Sequence, residues 1–159
     1  MRRHASRREF LLAAGGVAAG LGLAWAVRVA PARATPTAMQ EAIHKVVGSA
    51  RVTPGRVKLE LPPLVENGNT VPLAVSVESP MTTADHVRAI HVFTEKNPQP
   101  NVVSVQLGPR AGRAAISTRV RLADSQKVLA ICELSDGSFW SHSIEIIITL
   151  GACLEDNLI

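Results

Sequence analysis

Two thiols and five imidazoles are the side chains in this chain best suited to chemistry. Cys132 lies inside Val128-Leu129-Ala130-Ile131-Cys132-Glu133-Leu134, an apolar run in which a small buried side chain is expected. Cys153 stands apart. It follows the apolar run Ile144 to Leu150 and the pair Gly151-Ala152, and it precedes Leu154-Glu155-Asp156-Asn157-Leu158-Ile159. A thiol beyond the last apolar run has little packing role, and three residues of extended chain carry it roughly 10 Å outward. Exposed thiols are liabilities unless paired or used. Spacing leaves three readings open: a reactive thiol, a disulfide to Cys132, or an incidental residue. A thiol enzyme ranks last, since no histidine is placed in sequence to activate Cys153.

The histidines are His4, His44, His86, His91 and His142. None makes an H-x-H or H-x-x-x-H pair, so neither a zinc nor a copper site is expected, and no cofactor. There is no G-x-S-x-G elbow, phosphate-binding glycine loop or EF-hand. The acids are scattered beside turns and on solvated faces, which argues against a glycosidase pair. Asn67 and Asn69 flank a glycine and read as turn formers. Arg119 and Arg121 share one face of a strand, as a solvated face or a partner-binding pair.

The 159 residues suffice for one domain, and 47% apolar residues suffice for its core. Aromatics are 3%, without tyrosine, so stacking on nucleic-acid bases is not expected. The net charge of +4 misleads. Six of the 17 Lys and Arg, but one of the 13 acids, stand in residues 1–34, and the rest of the chain carries −1. That remainder offers no basic excess to phosphates. Residues 1–34 have the order of an export leader: charged Met1 to Glu9, uncharged Phe10 to Val27, then Ala32-Arg33-Ala34 for cleavage before Thr35. Ser6-Arg7-Arg8-Glu9-Phe10-Leu11-Leu12 resembles the twin-arginine signal, which implies export in the folded state and work outside the cytoplasm, with no membrane attachment after cleavage.

Thr37 is expected to cap a short helix to about Val47, ended by Gly48. Seven strands are expected after it, at 56–61, 71–78, 87–94, 101–107, 114–122, 127–134 and 138–150. Glu66-Asn67-Gly68-Asn69, Lys96-Asn97-Pro98, Gly108-Pro109 and Asp136-Gly137 supply the turns. Short strands at this spacing, with no helices between them, predict an all-β, antiparallel sandwich over residues 35–150 with a short N-terminal helix, followed by a C-terminal arm at 151–159.

Several segments together resemble SoxY, the sulfur-carrier family of the bacterial periplasmic thiosulfate-oxidising (Sox) system. They are Glu66 to Leu73, Asn97-Pro98-Gln99-Pro100 leading to Leu107-Gly108-Pro109, Ser117 to Ala123 with Gln126-Lys127-Val128, Asp136-Gly137-Ser138, and Ile148 to Cys153. The resemblance implies an immunoglobulin-like sandwich that pairs with SoxZ, a second sandwich subunit. It implies that Cys153 is the covalent attachment point for sulfur, on an arm hinged at Gly151 and Ala152. A haem protein, a sulfate-releasing hydrolase and a sulfane dehydrogenase would act on the bound sulfur, so the carrier turns nothing over itself. The family's usual ending is Gly-Gly-Cys-Gly-Gly, whereas Ala152 and Leu154-Glu155-Asp156 stand here. Ala stiffens the arm relative to Gly. The two acids disfavour a nearby thiolate and repel thiosulfate. A divergent carrier with altered partners is the resulting expectation. The competing one is an exported interaction module whose Cys153 is bridged to Cys132.

Overall fold

Thr35 opens the folded part of the chain. Its Oγ1 accepts a hydrogen bond from Ala38 N–H at 3.2 Å, and Pro36 fills the first helical position, where its missing N–H costs nothing. The helix α1 (Pro36–Val47) therefore begins two residues earlier than a cap at Thr37 would start it, and Gly48 ends it. The computed structural model describes residues 35–152. The leader expected at residues 1–34 and the segment 153–159, including Cys153, lie outside the described residues.

Nine strands follow α1: β1 (Val52–Pro54), β2 (Val57–Glu60), β3 (Leu64–Asn67), β4 (Val71–Val77), β5 (Val87–Thr94), β6 (Asn101–Gln106), β7 (Ala115–Val120), β8 (Gln126–Leu134) and β9 (Phe139–Leu150). Seven of them occupy the expected stretches; β1 and β3 are additional. One sheet has the order β1-β9-β8-β5-β6, with β3 also on β9, and the other is β2-β4-β7. Together they form the expected immunoglobulin-like sandwich. The main ladders are antiparallel, but β1 and β3 run parallel to β9. They take successive stretches of one edge of β9, with Gly55 N–H donating to Ser141 O and Ile147 N–H donating to Pro63 O.

The alternation in β2 and β4 sends Val57, Leu59, Val71, Leu73, Val75 and Val77 inward, onto Val87, Ile90, Val92, Val128, Ala130 and Cys132 of the facing sheet. Strands β5 and β8 are covered on both sides. Met39 and Ile43 of α1 pack on Phe93, Ile131 and Phe139 on the outer face. That double burial is why 87–94 and 128–134 are nearly continuous apolar runs. Each such Met or Ile side chain stabilises the fold by about 1.5–3 kcal/mol on burial.

The two long sides of the sandwich differ. On one, Leu59 N–H of β2 donates to His142 Nδ1 of β9 at 3.0 Å, which ties the two sheets together. On the other, β6 and β7 are both edge strands and do not pair with each other. A groove of about 500 Å³ lies between them, lined by Asn97, Asn101, Val103, Thr118, Arg119 and Arg121 among others.

Candidate functional site

Three segments far apart in sequence meet where β9 ends. Gly68 N–H donates to Leu150 O at 2.7 Å, Leu122 N–H to Gly68 O at 2.9 Å, and Ala152 N–H to Leu122 O at 3.1 Å. The β3–β4 turn, the segment after β7 and the end of β9 thus form one backbone knot. Both glycines in it serve space. A Cβ on Gly68 would overlap Leu122 O and stand 3.0 Å from Ala152 N. A Cβ on Gly151 would overlap Ala123 O and stand 2.8 Å from Ala123 C. Real Cβ atoms do not approach backbone so closely, so both positions require glycine.

Asn97 clamps this knot from the side. Its Nδ2 donates to Arg121 O at 2.7 Å, and its Oδ1 accepts from Ala123 N–H at 3.0 Å and Gln126 Nε2 at 3.1 Å. Gln126 Oε1 in turn accepts from Lys96 N–H at 2.8 Å. Ser125 Oγ accepts from Ile148 N–H at 2.8 Å and donates to Ile148 O at 3.3 Å. Lys96 Nζ lies 2.9 Å from Asp124 Oδ2, and this bond, with one from Ser125 N–H, holds the Asp124 carboxyl below its usual range. The loop beneath Gly151 is therefore fixed by side chains on every side.

Gly151 and Ala152, the expected hinge, lie within this knot. Both are buried, and Ala152 is bonded to Leu122. A pivot at Gly151 would break the Ala152–Leu122 bond, so the backbone is held as far as the Ala152 N–H.

Cys132 has the opposite character from a carrier thiol. It is fully buried on the inner face of β8 and free of any disulfide. Burial pushes its thiol up to about 11, with a backbone hydrogen bond at Trp140 opposing weakly. Its register partner on β9 is Trp140. From there β9 runs to Leu150, a span on the order of 30 Å at strand rise. Ala152 lies beyond that end. A disulfide needs Cα atoms within about 7 Å. Cys132 is a free thiol in this structure and lies far from the end of β9, which does not favour the expected bridge to Cys153.

A pH effect follows. The Cys132 thiol ionises near 9.0 in its ordinary state and near 11 in the fold. Between these values the unfolded chain loses a proton that the fold retains, so stability falls as pH rises, by at most about 1.4 kcal/mol per pH unit. Urea unfolding of the protein against Cys132→Ala between pH 9 and 11 should show the steeper decline in the former; parallel curves would contradict a neutral buried thiol.

The remaining candidates do not assemble into a centre. Among the described residues no three His, Cys, Asp or Glu stand close enough to hold a metal ion. His142 is the inter-sheet tie. His91 Nδ1 lies 2.9 Å from Ser104 Oγ, whose hydroxyl is directed to Asn101 Oδ1 and so away from the imidazole. Burial lowers the His91 pKa, with Glu133 opposing. Arg119 and Arg121 are exposed, as expected, and face the β6–β7 groove. Sequence reasoning missed Gly68, Asn97, Leu122 and Ala123 as a unit. Each was visible only as part of a turn or a strand.

The comparisons with known proteins give that unit its context. A family model described as "Sulfur oxidation protein SoxY" matches residues 43–153, most of the chain. The chain belongs to the SoxY family. The match ends on Cys153 itself, immediately past the knot. Among solved structures, the sulfur carrier protein SoxY from Chlorobium limicola f thiosulfatophilum superposes with a TM-score of 0.61 at 24% identity, covering 72% of this chain and 98% of that one. A superoxide reductase (neelaredoxin) from Ignicoccus hospitalis follows at 0.53 and 21%, covering 59% and 80%. At these identities the likenesses carry the sandwich fold alone. No curated protein matches this SoxY-family chain. Among the described residues no helix is long and apolar enough to cross a membrane.

Proposed function

We propose that this chain is the sulfur carrier of a thiosulfate-oxidising system and that Cys153 bears its cargo. The observation that carries the reading is the knot at Gly68, Leu122 and Ala152, which anchors the chain up to the residue before Cys153. A carrier needs a rigid body and a thiol just past its last fixed point, and the other cysteine is buried with its thiol held in the neutral form by that burial. Membership in the SoxY family supports the same role.

The chemistry demands a thiol. A Cys153 thiolate and thiosulfate join through a new S–S bond and release two electrons, which a haem protein accepts. Hydrolysis of the resulting thiosulfonate takes one water: its oxygen leaves with sulfate, and a persulfide stays on Cys153. Further oxidation of that sulfur falls to a sulfane dehydrogenase. The chain holds the substrate and performs none of these steps, and it needs no cofactor. Its pivot lies at or beyond the Ala152–Cys153 bond.

The rest of the proposal concerns setting. The twin-arginine leader over residues 1–34 exports the folded protein to the periplasm and is removed there. A SoxZ-like subunit pairs with the sandwich. Outward-facing Leu64 and Ile147, in register on β3 and β9 and 63% and 61% exposed, supply apolar surface for association.

Intact-mass analysis of protein from thiosulfate-grown cells tests the assignment. Reductant-labile adducts of thiosulfonate or added sulfur are expected on the native protein and on Cys132→Ala, and none on Cys153→Ser. Adducts that persist in Cys153→Ser would overturn it.

A further inference from the structure

Strand β7 ends the β2-β4-β7 sheet and pairs only with β4, so one of its edges is bare among the described residues. Backbone groups alternate sides along an antiparallel strand. Ala114 O accepts from Val77 N–H, and Leu122 N–H donates to Gly68 O, so the even-numbered residues turn toward β4 and the turn before it. The odd-numbered ones turn the other way, and Asn97 Nδ2 reaches Arg121 O from that side. Ser117 and Arg119 therefore present both N–H and C=O along the bare edge. Across the groove, β6 pairs only with β5 and leaves that edge uncovered.

Side chains alternate as well. Val120 points into the core, and Val102 and Val103 of β6 pack on that core, so the floor of the groove is apolar. Arg119 and Arg121 are exposed on the other face. Neither belongs to any of the four ion pairs among the described residues, and no acid lines the groove. Its volume of about 500 Å³ suits a segment of chain better than one small oxyanion, since a water takes about 30 Å³. A strand laid along β7 would satisfy Ser117 and Arg119 and set its side chains directly beside those of β7. Its residues i and i+2 would meet Arg119 and Arg121, and the residue between them would face the valines. The segment that fits is extended and reads acid–apolar–acid. This chain has none, because none of its 13 acids stands two residues from another. We infer that the bare edge of β7 receives an acid–apolar–acid segment of a separate partner polypeptide, added as a fourth strand to the β2-β4-β7 sheet. The inference stands apart from the sulfur-carrying role.

The test is titration of the purified full chain with short synthetic peptides, read by NMR as affinity and as amide exchange. One peptide carries Glu-Val-Glu between threonine flanks, a second has the same composition in the order Glu-Glu-Val, and a third has lysine for both glutamates. The first should bind, and at saturation it should slow exchange of the Ser117 and Arg119 amides about tenfold while those of Thr118 and Val120, on the β4 side, change little. The reordered peptide should bind about fivefold more weakly, since one acid loses its arginine, and about 1 M salt should weaken the first peptide about tenfold. R119E/R121E should reverse the preference and take the lysine peptide. Both arginines are exposed, so an unchanged thermal midpoint shows that this variant is folded. Equal binding of the two acidic peptides would reduce the arginines to a general attraction and overturn the inference. So would exclusion of all three peptides, the behaviour of charges that merely guard an edge. Slowed exchange at Ser117 and Arg119 in concentrated protein without peptide would give the edge to a second copy of the chain, and would overturn it too.

Discussion

Gly151→Ala is expected to lower the thermal midpoint by about 10 °C. The added methyl would overlap the carbonyl of Ala123, and that carbonyl cannot retreat. Ala123 N–H is held by Asn97, and the next residues are held by Lys96, by the paired Ser125 and by Gln126. Relief therefore comes only by lifting the end of β9, at a cost of about 3 kcal/mol. Lifting it breaks the Ala152–Leu122 and Gly68–Leu150 hydrogen bonds together. Gly68→Ala strikes the same knot from the other side and should behave alike. The contrast with a flexible hinge is sharp, because alanine at a solvated hinge is close to neutral. Calorimetry of Gly151→Ala decides between them: an unchanged midpoint would restore the hinge and refute the knot. Amide exchange at Ala152 should accelerate in the same variant, since its hydrogen bond is the first to open.

Asn97→Ala is expected to cost about 3 kcal/mol of unfolding free energy. The side chain is buried and makes three hydrogen bonds, so its loss leaves Arg121 O, Ala123 N–H and Gln126 Nε2 without partners. Asn97→Asp sharpens the test. Its carboxylate keeps the acceptor toward Ala123 and Gln126 but sets a second oxygen against Arg121 O, at the position where Nδ2 donates at 2.7 Å. Protonation restores a donor there. The introduced group is thus protonated more readily in the fold than in the unfolded chain, and the variant should regain stability as pH falls through the carboxylate range. Urea unfolding between pH 7 and pH 4 reads this out. An alanine variant within about 0.5 kcal/mol of the native protein would show that Asn97 is not the clamp.

Periodicity revealed the sandwich. The strict alternation of Val57 and Leu59, and of Val71 to Val77, identified β2 and β4, and the long apolar stretches identified β5, β8 and β9. It missed β1, which is three residues long and ends in proline, and β3, whose Leu64, Glu66 and Asn67 are exposed. Both exist because β9 offers them an edge, and no local pattern records that. The cap was misplaced because Thr35 and Thr37 are chemically alike and Pro36 between them was the deciding signal. The knot was visible only as fragments. Glu66-Asn67-Gly68-Asn69, Asn97-Pro98, Leu122-Ala123 and Gly151-Ala152 each carry the resemblance to SoxY, yet their reason lies in contacts across dozens of residues. Gly151 is the plainest case: its type suggested freedom, and its surroundings require it for lack of room.

The parallel pairing of β1 and β3 with β9 sets an order of events during synthesis. Among the described strands neither has any partner but β9, which is made last. The first strands to leave the ribosome must wait, with their backbone unsatisfied, for the final one. A fold completed by such distant pairings forms slowly, and an interrupted chain exposes β1 and β3 to proteases. Chains that stop short of the end of β9 are therefore the ones that fail to close, and they are expected to be the first lost to proteolysis.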